Sequence, residues 1–252
     1  MRRSVVVGWV MLCGAGALLT ACSQDGAGCG TPLGEPIQDT LFWDIQPAAL
    51  EVRDRIEVHW WPNDSIPMAL IHAWQGTMDG VSVSMESDAL VIEDRNRCAW
   101  VRRLDAVPRI DLFGVRAPEV QLESQADFTM EAPWVGGDLK VSSDEMAGDL
   151  DLWFQGDRLQ LRLPNGIGHA SVQGRARRFS SFRSGFGDLE ASGLEADQIL
   201  VHHAGLGEVR LRPQGYLFLE MAGAGNAFLQ GEEAGWDIRI LPGATGVVTV
   251  HP

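Results

Sequence analysis

Beyond its first few dozen residues the chain alternates apolar and polar positions with a period of two and shows almost no 3.6-residue helical period. Ile56, Val58 and Trp60 alternate with Glu57, His59 and Trp61, and Val81, Val83 and Met85 with Ser82, Ser84 and Glu86. Short runs of this kind, broken by Gly, Asp and Pro, predict half-buried β-strands. Neighbouring strand residues face opposite ways, so the parity that Trp60 shares with Ile56 and Val58 turns Trp60 inward and Trp61 outward.

The C-terminal half repeats. Gly166-Ile167-Gly168-His169, Gly185-Phe186-Gly187-Asp188, Gly205-Leu206-Gly207-Glu208 and Gly223-Ala224-Gly225-Asn226 align, with second glycines 19, 20 and 18 residues apart. A short alternating run such as Val209-Arg210-Leu211 follows each, and a weaker copy, Ala147-Gly148-Asp149, stands one period earlier. A period near 19 residues without a helix suits one coil of a β-solenoid, in which glycine supplies the φ > 0 or the close backbone approach of a sharp corner. Carried over residues 41–250, it predicts roughly ten coils and a rod about 45–50 Å long, at ~4.8 Å per coil. An antiparallel sandwich with evenly spaced hairpins has the same spacing, and the pattern alone leaves it open. A calcium-binding nonapeptide repeat is excluded. The period is twice too long, and His, Asp, Glu and Asn take turns after the glycine pair, so no oxygen ligand recurs.

The start of the chain reads as an export signal. Arg2 and Arg3 precede an uncharged run, residues 5–19, that is shorter than the ~20 residues needed to span a bilayer. It ends in Leu19-Thr20-Ala21-Cys22, which resembles the lipobox of bacterial lipoproteins. The expected organisation is a signal peptide over 1–21, a lipidated Cys22 opening a Gly/Ser/Pro-rich tether over 22–39, and a β-domain over 40–252. An ordinary signal peptide containing Cys22 is the alternative. Several acyl chains hold a protein on a membrane almost permanently, where one does not. No Asp follows Cys22, which points away from inner-membrane retention and toward the outer membrane, facing periplasm or cell surface.

The formal charge is −14, and becomes −16 once Arg2 and Arg3 leave with the signal. Such an acidic body argues against nucleic acid and against docking on anionic headgroups. With Cys13 removed and Cys22 lipidated, Cys29 and Cys98 remain. In an oxidising compartment they read as a disulfide or as two free thiols, and they are too few for a metal site.

The Gly-x-Gly coils, together with Leu90-Val91-Ile92-Glu93-Asp94-Arg95-Asn96-Arg97-Cys98-Ala99-Trp100-Val101-Arg102, resemble the head GIN domain family of autotransporter adhesins over about residues 40–250. Members are similar in closing the first part of the domain with Asn-x-Cys-x-Trp-x-x-Arg and in carrying an upstream cysteine where Cys29 stands. The resemblance implies an all-β, single-stranded, right-handed, pectin-lyase-like β-helix, a Cys29–Cys98 disulfide and a role in adhesion. The chain departs from the pattern at Ile167, Phe186 and Leu206, where the family has a small residue between the glycines.

Catalytic chemistry finds little to stand on. Asp149 with Asp151, and Asp188 with Glu190, have the i, i+2 spacing that would let a polysaccharide lyase or glycoside hydrolase pair carboxylates. They read first as a solvated acidic face that keeps the solenoid soluble. His202 and His203 point to opposite faces and do not converge on a metal. No serine sits in a strand–turn–helix elbow, and the glycine pairs lead into strands rather than helices. No catalysis, cofactor or metal is expected. The candidate ligand contacts are Trp61, able to stack on a sugar ring or a partner peptide unless the N-terminal segment covers it, and Arg175, Arg177 and Arg178, which face an acidic glycan or lie in a solvated turn. The expected partners are the membrane, through the lipid, and a glycan or another envelope protein.

Overall fold

The computed structural model describes residues 32–96, 106–123 and 125–251. The expected signal peptide over 1–21, the expected lipidation site Cys22, and Cys29 and Cys98 lie outside the described residues. Among the described residues eighteen strands follow one another. They are β1 (Pro36–Phe42), β2 (Ala49–Arg53), β3 (Glu57–Trp61), β4 (Met68–Trp74), β5 (Val81–Glu86), β6 (Ala89–Asp94), β7 (Arg109–Phe113), β8 (Glu119–Leu122) and β9 (Asp127–Met130). Then come β10 (Trp134–Ser142), β11 (Leu150–Leu163), β12 (Ala170–Arg183), β13 (Leu189–His203), β14 (Val209–Leu211), β15 (Tyr216–Met221), β16 (Ala227–Gln230), β17 (Trp236–Ile240) and β18 (Val248–His251). The 3-10 turn Met78–Gly80 is the one helical element among the described residues.

The chain winds as a β-solenoid of about seven turns, with parallel strands stacked about 20 residues apart. One face stacks β5, β6, β2, β8, β10, β11, β12, β13, β15 and β17. The other stacks β1, β4, β7, β3, β9, β11, β12, β13, β14, β16 and β18. β11, β12 and β13 serve both faces, bending between them. The ten coils expected from the period are therefore too many. The period does not hold before β8, where β4 and β5 run antiparallel to their neighbours and close one end instead of completing coils. The first face is nonetheless ten strands deep, nine spacings of ~4.8 Å or about 43 Å, because β6 stacks outside the earlier β2.

Alternation supplies the core. Along β11, Leu150, Leu152 and Phe154 face inward, then Leu159, Leu161 and Leu163, with the phase broken where the strand bends. Each of these is at most 1% exposed, and burying such a side chain stabilises by about 1.5–3 kcal/mol. Trp60 lies inward at 0% exposure, its Nε1 donating to the Val115 carbonyl at 2.9 Å. No helix of the described residues is long and apolar enough to cross a membrane.

The Gly-x-Gly corners need glycine for closeness. Neither glycine of any pair has positive φ. A Cβ on Gly168, Gly187, Gly207 or Gly225 would lie 1.8, 1.9, 2.0 and 2.0 Å from the carbonyl oxygen of the matching glycine one coil earlier. The residue after the pair ties the coils further. Asp149 Oδ1 accepts from the His169 amide at 3.0 Å, Asp188 Oδ1 from Glu208 at 2.7 Å and Asn226 Oδ1 from Val247 at 3.0 Å. Replacing Gly187 by Ala should lower unfolding stability by about 3 kcal/mol, since backbone rather than a mobile side chain must give way. Gly137→Ala, where a Cβ meets nothing within 4 Å, should stay within about 0.5 kcal/mol of wild type. Denaturant unfolding of the two variants measures the contrast.

Candidate binding face

Strand register gathers one set of aromatic and titratable side chains on the outer side of the second face, near its β1 end. Across β1, β4, β7 and β3 the outward positions form three rows. The first is Phe42, Met68, Phe113 and Trp61. The second is Thr40, Leu70, Asp111 and His59. The third is Gln38, His72, Arg109 and Glu57.

The first row is an apolar strip. Phe42 is 66% exposed, and Trp61 stacks on Phe113 with ring centroids 4.7 Å apart and planes 15° from parallel. The His59 ring lies 6.2 Å from that of Trp61. Trp61 is thus outward, half-buried and braced from two sides.

The other rows are a hydrogen-bonded lattice. Asp111, 5% exposed, accepts from Arg109 Nε at 2.8 Å and Nη2 at 2.9 Å, and from His72 Nε2 at 2.8 Å. Gln38 Nε2 stands 2.9 Å from His72 Nδ1 and fixes the far side of that ring. Burial alone would raise the Asp111 pKa, but the bonds from Arg109 and His72 outweigh it and hold the carboxyl below its ordinary value. His59 places Nδ1 2.5 Å from Glu131 and Nε2 2.7 Å from Glu57. Burial opposes its charge, yet the two carboxylates outweigh burial and raise its pKa. Beside the lattice opens a cleft of about 460 Å³, lined by Pro36, Gln38, His72, Trp74, Val107 and Arg109 among others. The acids here are matched by cations, Asp111 by Arg109 and His72, and Glu57 and Glu131 by His59.

The remaining sequence candidates lie elsewhere. Arg177 Nε is 3.6 Å from Asp157, and Arg178 Nε donates to Gln198 at 3.0 Å. With the exposed Arg175 they sit where β12 bends between the faces, and two of the three are engaged by neighbouring coils. Asp149 and Asp188 cap the next coil, and Glu190 holds the amide of Ser192 at 3.0 Å, while Asp151 points to solvent. His202 faces outward, stacked on Phe182 at 5.0 Å and 2.6 Å from Glu220. His203 faces inward at 1% exposure, and burial pushes its pKa down. Beside it Arg183, 2% exposed, is pushed down to about 10 by burial and donates to the Gly168 and Asp188 carbonyls beneath the glycine corner. No group of three or more His, Cys, Asp or Glu able to hold a metal occurs among the described residues. Ile167, Phe186 and Leu206 point outward from the corner at 62, 66 and 55% exposure.

Sequence reasoning found Trp61 but missed Phe42, Met68, Phe113, Asp111, Arg109 and His72. Their one signal was outward parity within short strands, and the pairing that joins them does not follow chain order. His59 provides a check. With its folded pKa raised, its contribution to stability is fully present below the unfolded value near 6.5 and is lost as pH rises through the folded value. The stability gap between wild type and His59→Gln, followed by thermal unfolding, should therefore be widest in mild acid, about 1 kcal/mol, and narrow on going to alkaline pH.

The chain is similar to proteins of this architecture. A putative adhesin from Bacteroides fragilis matches with a TM-score of 0.74 and 13% identity, over 86% of this chain and 97% of that one. A putative adhesin from Parabacteroides merdae matches at 0.61 and 16%, over 87% and 97%. A putative lipid binding protein from Parabacteroides distasonis matches at 0.57 and 14%, over 86% and 94%. At these identities the likeness is one of fold. No curated protein matches the chain. The family described as putative auto-transporter adhesin, head GIN domain, matches residues 47–232, and the chain belongs to that family.

Proposed function

We propose that this protein is a lipid-anchored adhesin or binding module of the cell envelope, and that it holds a glycan on the Trp61 strip without chemically altering it. The observation that carries this reading is the stacked Trp61–Phe113 pair, with exposed Phe42 in the same row and the fixed Asp111–Arg109–His72 lattice beside it. Flat aromatic surface next to oriented donors and acceptors is what a sugar ring requires, with apolar C–H faces on one side and hydroxyls on its rim. A rigid solenoid presents such a strip without the entropic cost of ordering a loop. Membership in an adhesin family supports the same reading.

The anchor is the second part of the proposal. Cys22 carries the lipid, the tether expected over 22–39 shortens to the residues before Pro36, where β1 begins, and a Cys29–Cys98 disulfide closes the segment before the regular coils. Outer-membrane placement, periplasmic or surface-exposed, follows from the residue after Cys22.

A glycan array probed with the protein should give binding that falls about tenfold in Trp61→Ala, a loss of about 1.4 kcal/mol. Cleavage of a bound polysaccharide, seen as released oligosaccharide, would replace this reading with the lyase or hydrolase one. Mass spectrometry of the N-terminal peptide should find Cys22 acylated, and Cys22→Ser should leave the membrane fraction. Cys29 and Cys98 should alkylate only after reduction.

A further inference from the structure

The two ends of the solenoid differ. At one end β5 lies antiparallel on β6, β4 antiparallel on β7 and β1 antiparallel on β4. At the other, among the described residues, β17 hydrogen-bonds along one edge to β15 and β18 along one edge to β16. The inward Leu217, Leu219 and Met221 of β15 are 0% exposed. Trp236 and Ile238 of β17, with Val248 and Val250 of β18, stay half-buried against the core, and Ile240 is 56% exposed. Solenoids ordinarily finish in a coil with a polar outer surface. Here the inner side of β17 and β18 is apolar, and among the described residues no strand pairs with their outer edges.

That edge is complementary to itself. In Trp236-Asp237-Ile238-Arg239-Ile240, inward apolar residues alternate with two outward charges of opposite sign. A two-fold axis through Ile238 lays a second β17 antiparallel to the first. It sets Asp237 of each copy opposite Arg239 of the other, Ile238 opposite Ile238, and Trp236 opposite Ile240. Directly opposed residues of an antiparallel pair approach to about 4.5–5.5 Å, where unlike charges attract and like charges destabilise. The charges are already placed for it. Arg239 Nη2 lies 2.8 Å from Asp237, and its guanidinium sits 4.9 Å from the centre of the Phe218 ring. β18 has the same form, with Val248 and Val250 either side of Thr249. Head-to-tail stacking lacks this match, since the outward residues of β5 are Ser82, Ser84 and Glu86, with no cation to meet Asp237. In a chain of formal charge −14, contact between copies needs such local compensation.

We propose that the β17–β18 end is a self-association surface, where a second copy of this chain stacks end to end across a two-fold axis at Ile238. The closed β-sheet core then runs through both copies, and the two β1 ends point away from each other.

Sedimentation of the full chain tests this. Wild type should show twice the mass of one chain at micromolar concentration, with a melting temperature that rises with concentration. Asp237→Arg and Arg239→Asp, each placing like charges opposite one another, should sediment as monomers while keeping the wild-type β-sheet circular dichroism. The double exchange D237R/R239D should restore the dimer. Ile238→Cys lies on the axis, so mild oxidation should link it to its own counterpart as a covalent dimer even if a charge variant fails to fold. Wild type that stays monomeric throughout, single reversals that remain dimeric, or a folded double exchange that stays monomeric would each overturn the proposal.

Discussion

The structure depends on how closely one coil can approach the next at the glycine corner. A carbonyl oxygen of each second glycine stands where the Cβ of the matching residue in the next coil would be, about 2 Å away for Gly168, Gly187, Gly207 and Gly225 alike. That contact leaves room for hydrogen and nothing larger. With the corner shut, the strands on both sides fall at hydrogen-bonding distance and the inward leucines of successive coils close over one another. The carboxylates and amide after the glycines then accept the amides of the neighbouring coil, so that polar groups at a sharp turn are satisfied without a strand to hold them.

Against this regular body, the β1 end departs from the rule and gains a surface from doing so. Chain reversals at β4 and β5 stop the stack and bring strands distant in sequence side by side. The outward rows of β1, β4, β7 and β3 consequently unite Phe42, Phe113 and Trp61, and set Asp111 between Arg109 and His72. A uniform coil stacks residues one period apart. The capped end instead combines residues some 20 to 70 positions apart, which allows a mixed aromatic and ionic face. Inside the body, the buried Arg183 and His203 show the opposite arrangement. They are titratable groups withdrawn from solvent, with Arg183 bonded to the corner carbonyls and the neighbouring ring pushed toward neutrality by burial.

Membership in an adhesin family and the proposed binding role of the aromatic strip agree. Of the four acids that the sequence offered as catalytic pairs, three hold backbone amides, Asp149 and Asp188 in neighbouring coils and Glu190 at Ser192. The three arginines proposed to meet an acidic glycan sit at a bend where Asp157 and Gln198 already engage two of them. The aromatic strip is what is left outward and apolar near the lattice.

The sequence by itself determined an all-β chain, the spacing of its C-terminal repeat and the direction of side chains within its alternating runs, because period-two alternation and the recurring glycines are local properties of the chain. Trp60 inward and Trp61 outward, and His202 and His203 on opposite faces, followed from parity. The number of turns did not follow, since the strands before β8 alternate just as the later ones do while pairing in a different order. Nor did the binding face. Asp111 meets His72 only because β4 turns back along β7, and Phe113 meets Trp61 only because β7 lies beside the earlier β3. Parity says which way a side chain points. Register between strands far apart in the chain decides what it points beside, and that is fixed by how the whole core closes.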